Sequence, residues 1–123
     1  MLQLISVGIG GFIGAYARFV LTKMLAHYTL LPFGTLFSNI IAGLITGIII
    51  GAERQDAELS PNIKLFMTTG FLGGLSTFST FSLETVLFLE KGDYLKAGTN
   101  TLLNVIMSFI AVFAGFLIMK FVK

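Results

Sequence analysis

The sequence predicts an all-α integral membrane protein of four transmembrane helices, the third of them broken near Gly73–Ser76. Two observations carry the class. Of 123 residues, 55% are hydrophobic and only 11% charged, whereas a soluble domain averages roughly a quarter charged. Four apolar stretches, at about Leu2–Leu21, Gly34–Ala52, Leu65–Leu89 and Ala97–Val122, take up almost the whole chain. Each reaches or approaches the roughly 20 residues that cross a hydrocarbon core of about 30 Å. A third observation places the break. Within the third stretch, Gly70 to Ser82 reads GFLGGLSTFSTFS, a run of glycines followed by alternating hydroxyls and phenylalanines. Irregular backbone at membrane depth survives only where it is buried in protein or lines a cavity.

The first stretch carries Gly10-x-x-x-Gly14, a spacing that lets helix backbones approach closely in lipid. Ala15-Tyr16-Ala17 looks like a signal-peptidase site, but no Lys or Arg precedes it and the helical pattern runs on, so a retained helix is expected. The second stretch repeats the small-residue spacing at Gly43, Gly47 and Gly51. In the third, Gly70, Gly73 and Gly74 are expected to weaken the helix ahead of Ser76, Thr77, Ser79, Thr80 and Ser82, which interleave with Phe78 and Phe81. The fourth is apolar and unbroken. One four-helix transmembrane domain over residues 1–123 is the expected organisation.

Four helices put both ends of the chain on one side. That side holds Arg54, Lys64, Lys120 and Lys123; the other holds Arg18, Lys23, Lys91 and Lys96. Lys/Arg asymmetry fixes membrane orientation, and here it vanishes. Insertion both ways up, with an antiparallel homodimer, is the simplest consequence.

Several functions fall away early. Cysteine is absent, which removes disulfide and thiol chemistry, and a net charge of +2 gives no grip on nucleic acid. His27 reads as a solvated loop residue beside Lys23 and Tyr28. Gly8-Ile9-Gly10-Gly11-Phe12-Ile13-Gly14 imitates a dinucleotide fingerprint but has Ile13 where the third glycine belongs and no strand before it. No enzyme is expected.

Polar groups inside the spans are the better clues, because each is costly in lipid unless satisfied. Arg18 near the end of the first helix either snorkels, biases a pore mouth toward anions, or makes a structural contact to a neighbouring loop. Asn39 is either an interhelical hydrogen-bonding group or an amide donor to a passing anion. Glu84 is the one acidic residue inside a span. Hydroxyls serve anions and cations alike. Phenylalanine edges are positive and faces negative, so the rings favour an anion if their edges turn inward. On the residues alone, the chain reads as a narrow ion pathway with a slight anion preference.

Three motifs add to this. Gly11-x-x-Gly14-x-x-x-Arg18, Gly34-Thr35-Leu36-x-x-Asn39-x-x-x-Gly43 and Gly70-x-x-Gly73-Gly74-x-Ser76-Thr77-Phe78-Ser79-Thr80-Phe81-Ser82-x-Glu84 occur in order. Over its whole length the chain resembles the Fluc family of fluoride channels, also called CrcB proteins. Two departures from the common pattern, Ser38 and Ser76, leave the resemblance intact. It implies a multi-pass protein of the plasma or inner membrane, relieving cytoplasmic fluoride by passive efflux. It also implies an antiparallel homodimer, two fluoride pores per dimer, and a central Na⁺ on backbone carbonyls of Gly73 and Ser76 from both subunits. Phe78 and Phe81 would be the ring pair lining the pores, with Asn39 a hydrogen-bond donor there. Ser79, Thr80 and Glu84 match a polar face beyond the rings, Ser108 a further hydroxyl, and Thr35 lies one turn before Asn39. Arg18 matches the family arginine, acting by electrostatics or by structure.

The rival is a small dual-topology exporter of the multidrug type. Such proteins need an acid in the first helix and an aromatic cage with Trp or Tyr. Here the first helix has no Asp or Glu, and the chain has no Trp. A scaffold subunit without transport would not need the polar run of the third span.

Overall fold

The structure, a computed structural model, describes residues 1–122. Helix α1 covers Leu2–Met24 and α2 covers Phe33–Glu53. The third span, Pro61–Glu90, is composite. It begins as α3 (Pro61–Leu65), widens into a π-helical segment (Phe66–Leu72), returns to one turn of α4 (Gly73–Leu75), and resumes as α5 (Phe78–Glu90). Helix α6 covers Tyr94–Phe121. All four spans are long and apolar enough to cross a membrane.

Each span runs a few residues past the bounds expected from hydropathy at one or both ends, because helix starts follow caps rather than apolarity. Ser60 accepts the Ile63 amide with Pro61 at the first helical position, so the third span begins at 61 rather than 65. Asp93 accepts the Lys96 amide and starts α6 at Tyr94 rather than Ala97. Between α5 and α6, Gly92 takes a left-handed φ of 73°. Its amide bonds Leu89 and that of Asp93 bonds Phe88, which closes α5 in a Schellman turn only three residues long.

Two pairings build the bundle: α2 lies along α6, and α1 lies along the π-helical segment and α4. Both are seams of backbone on backbone. A Cβ at Gly47 would collide with the Val112 carbonyl, and one at Gly115 with that of Leu44. On the other seam, a Cβ at Gly10 would meet Phe66 and Phe71, and one at Gly14 would meet Phe71 and Leu75. The steps are five residues and then four, so the wide turn keeps the third span in register with α1.

Two glycines of the third span, Gly70 and Gly74, serve packing, whereas Gly73 is exposed and meets no other helix. Gly70 and Gly74 press on Val7 and Gly11 of α1, while the backbone around them stays helical. The break comes just after, at Ser76 (φ −75°, ψ 154°) and Thr77 (φ −156°, ψ 121°). There the backbone hydrogen bonds pass from the helix to side chains.

Candidate functional site: the break and its polar frame

At Ser76–Thr77 the chain leaves one helix and enters another. The Thr77 amide, which would return to the Gly73 carbonyl in a continued helix, donates to Asn39 Oδ1 at 2.7 Å. Asn39 Nδ2 donates back to the Thr77 carbonyl at 3.1 Å. One side-chain amide thus pairs with Thr77 as a neighbouring strand would. The Thr77 hydroxyl accepts the Thr80 amide at 3.1 Å and donates to the Thr80 hydroxyl at 2.9 Å, capping α5. That cap also takes the Thr80 amide away from the Ser76 carbonyl, which accepts instead from Arg18 Nη1 at 3.4 Å.

The break therefore sets the carbonyl end of α4 against the amide end of α5. The first suits a cation and the second an anion. Freed, uncharged oxygens are the donor set a hard monovalent cation takes. The Gly73 and Ser76 carbonyls fit that description, although the Arg18 guanidinium already occupies one side of Ser76.

Beside the break lies a cavity of about 450 Å³ lined by Asn39, Thr77, Phe78, Phe81, Asn104 and Ser108 among others. The two phenylalanine rings meet edge to face, centroids 4.8 Å apart at 83°. Phe81 is 7% exposed and anchored; Phe78 is 76% exposed. The remaining expected residues fall elsewhere. Ser79 is exposed on α5, and Thr80 is held by Thr77. Thr35 and Glu84 form a second polar pair, the Thr35 hydroxyl donating to Glu84 Oε1 at 2.6 Å. Glu84 borders a separate cavity of about 260 Å³ shared with Tyr28 and Lys91. Because α2 and α5 run antiparallel, Asn39 meets Thr77 while Thr35, one turn earlier, meets Glu84, further along α5.

Two residues at the site were not singled out from the sequence. Asn100 and Asn104 are 2% and 3% exposed and continue the polar contact into α6. Asn39 Nδ2 donates to Asn104 Oδ1 at 2.9 Å, Asn104 Nδ2 to Asn100 Oδ1 at 3.2 Å, and Asn100 Nδ2 to the Thr85 hydroxyl at 3.1 Å. The signal was present: Asn100, Asn104 and Ser108 recur every four residues on one face of the last helix. Both protons of the Asn39 amide are taken by Thr77 and Asn104. Ser38, by contrast, is fully buried and spends its hydroxyl on the Gly34 carbonyl of its own helix, at 2.8 Å.

The CrcB family, described as "CrcB-like protein, Camphor Resistance (CrcB)", matches residues 5–116. The chain belongs to the CrcB family. The match takes in the break, its asparagine frame and both glycine seams. Among its relatives, a protein of Thermococcus kodakarensis named fluoride-specific ion channel FluC is 44% identical over 115 residues, 94% of each chain. A protein of the same name from Campylobacter jejuni strain 81-176 is 42% identical over 119 residues, 95% of this chain and 97% of that one. A third, from Pyrococcus abyssi, is 44% identical over 112 residues, 91% of each. All three relatives carry the name of an ion channel, not of an enzyme or a drug exporter.

Proposed function

We propose that this CrcB-family protein is a fluoride-selective channel that lets fluoride leave the cell passively, working as an antiparallel homodimer with two pores. The observation that carries the reading is the combination at the break: helix-end amides, a cornered phenylalanine pair and hydroxyls around one cavity, with no lysine or arginine lining it among the described residues. Amide and hydroxyl donors replace part of the shell of a small anion, and positive ring edges attract it weakly. Weak sites in series let an ion enter and also leave. A narrow bore favours fluoride over larger anions. The relatives that carry the fluoride-channel name match across more than nine-tenths of the chain, which supports fluoride as the ion.

Phe78 and Phe81 line the path, Ser108 supplies a hydroxyl and Asn39 keeps the break open. Ser79, Thr80, Thr35 and Glu84 extend the polar route along α5. Gly73 and Ser76 would hold Na⁺ through their carbonyls, where the ion would balance the carbonyl end of α4, with Arg18 steadying the Ser76 side. The exposed Phe78 and Gly73 surface supports contact with a second copy, and equal Lys/Arg counts on the two sides support opposed orientations.

The test is efflux from liposomes bearing the purified protein, followed with fluoride and chloride electrodes. Fast fluoride loss without chloride loss is expected; no fluoride loss from assembled protein removes the reading. Orientation is tested by adding lysines to the loops of one side. Each locked form alone should be inactive and the two together active. Activity from one form alone would defeat the antiparallel arrangement.

A further inference from the structure

The asparagine ladder has a direction that both of its ends enforce. At one end, the Thr85 hydroxyl donates its proton to the Phe81 carbonyl at 2.8 Å, so its oxygen is left to accept from Asn100 Nδ2. Asn100 must then turn its carbonyl to Asn104, and Asn104 its carbonyl to Asn39. At the other end Asn39 presents Oδ1 to the Thr77 amide, which can only donate. The second protons of the three amides are also placed, on the carbonyls of Phe81, Asn100 and Thr77. Every link donates the same way. Reversing any one amide would set oxygen against oxygen and nitrogen against nitrogen, in a setting where unmatched polar groups are costly.

From this we infer that Asn100 and Asn104, with Thr85 as the distal anchor, are positioning residues for conduction. None of them needs to touch the ion. They fix the orientation of the Asn39 amide, and that orientation keeps the Thr77 amide away from the Gly73 carbonyl. Were Asn39 free to turn, Thr77 could bond Gly73 four residues back, and α4 would wind on through the break. The ladder also ends on the Phe81 carbonyl, so it ties the buried ring to the break it faces. A polar chain across α5, α6 and α2 thus holds ring and break in one register.

This rests on the fluoride-channel reading for its flux measurement alone; a second measurement is independent of it. Thr85→Val is nearly isosteric and lies at the far end of the ladder, Thr85→Ser keeps the hydroxyl, and Asn104→Leu removes the middle link. Fluoride efflux per reconstituted protein and hydrogen–deuterium exchange of the Thr77 amide are measured on each. For Thr85→Val and Asn104→Leu, efflux should fall and exchange quicken by about tenfold, the equivalent of one buried hydrogen bond. Thr85→Ser should match the wild type in both. Unchanged Thr77 exchange in assembled Thr85→Val, unchanged efflux there, or an equal defect in Thr85→Ser would overturn the assignment. Should Asn104→Leu not assemble, the Thr85 pair decides alone. A wild type that passes no fluoride would defeat the channel reading instead, while amide exchange would still report on the ladder.

Discussion

The two halves of the third span are held in opposite ways. Before the break, the π-helical segment and α4 lie on α1 through glycine, backbone on backbone, with no side-chain hydrogen bond between α1 and the segments ahead of Ser76 among the described residues. After it, α5 is held by directional bonds: Asn39 to Thr77, Asn100 to Phe81 and Thr85, and Thr35 to Glu84. Close packing tolerates no added volume but is indifferent to polarity. Hydrogen bonding tolerates small changes of shape but not a lost donor. The break sits where one regime hands over to the other, and among the described residues Arg18 makes the single side-chain bond that crosses from α1 to it.

Substitutions should separate the regimes. The largest effect is expected at Gly14→Leu, whose side chain would run into the Phe71 carbonyl. Overpacking against backbone that cannot move should cost more than about 3 kcal/mol and abolish assembly, as read by size-exclusion chromatography in detergent. Gly8→Ala, with nothing within 4 Å of the added Cβ, should assemble normally. Failure of both alike would break the seam argument.

Asn39→Leu comes next. It leaves the Thr77 amide and Asn104 Oδ1 without their partners, at about 1–3 kcal/mol each. Fluoride efflux should drop to background in protein that still assembles, since the glycine seams are untouched. Loss of assembly to the degree seen for Gly14→Leu would mean the two halves are not held independently.

Thr35→Val is the smallest change. It removes the donor to Glu84 Oε1, whose partner oxygen Oε2 is buried without a hydrogen bond among the described residues. A loss near the lower end of 1–3 kcal/mol is expected in thermal melting, with fluoride efflux reduced but measurable. No change in either would confine the polar frame to the break itself.

The sequence made the four spans plain because apolarity over some 20 residues leaves few alternatives. It also marked the third span as irregular, and the Gly-x-x-x-Gly spacings correctly announced close helix contact at Gly10, Gly14, Gly43 and Gly47. What it did not display was the packing role of two of the glycines: at Gly70 and Gly74, α1 leaves room for no larger residue. The π-helical turn was not legible at all, since it arises from register against α1 and has no composition of its own. Asn39 and Arg18 stood out as intramembrane polar groups, but at the break they bond backbone atoms of Thr77 and Ser76, which a side-chain pattern does not display. Asn100 and Asn104 had a visible four-residue rhythm. They escaped because their role depends on facing Asn39, a contact set by how α2 packs on α6.

The central claim is that the corner of Phe78 and Phe81 beside the break is where fluoride passes. Its most direct test is electrode-recorded fluoride efflux from liposomes, comparing the wild type with the Phe78→Ile, Phe81→Ile double variant at equal amounts of assembled protein. Rapid fluoride loss from the wild type and strongly slowed loss from the variant, with chloride retained by both, is the predicted result. Equal fluoride loss from the two would contradict the account and move the pathway away from the rings.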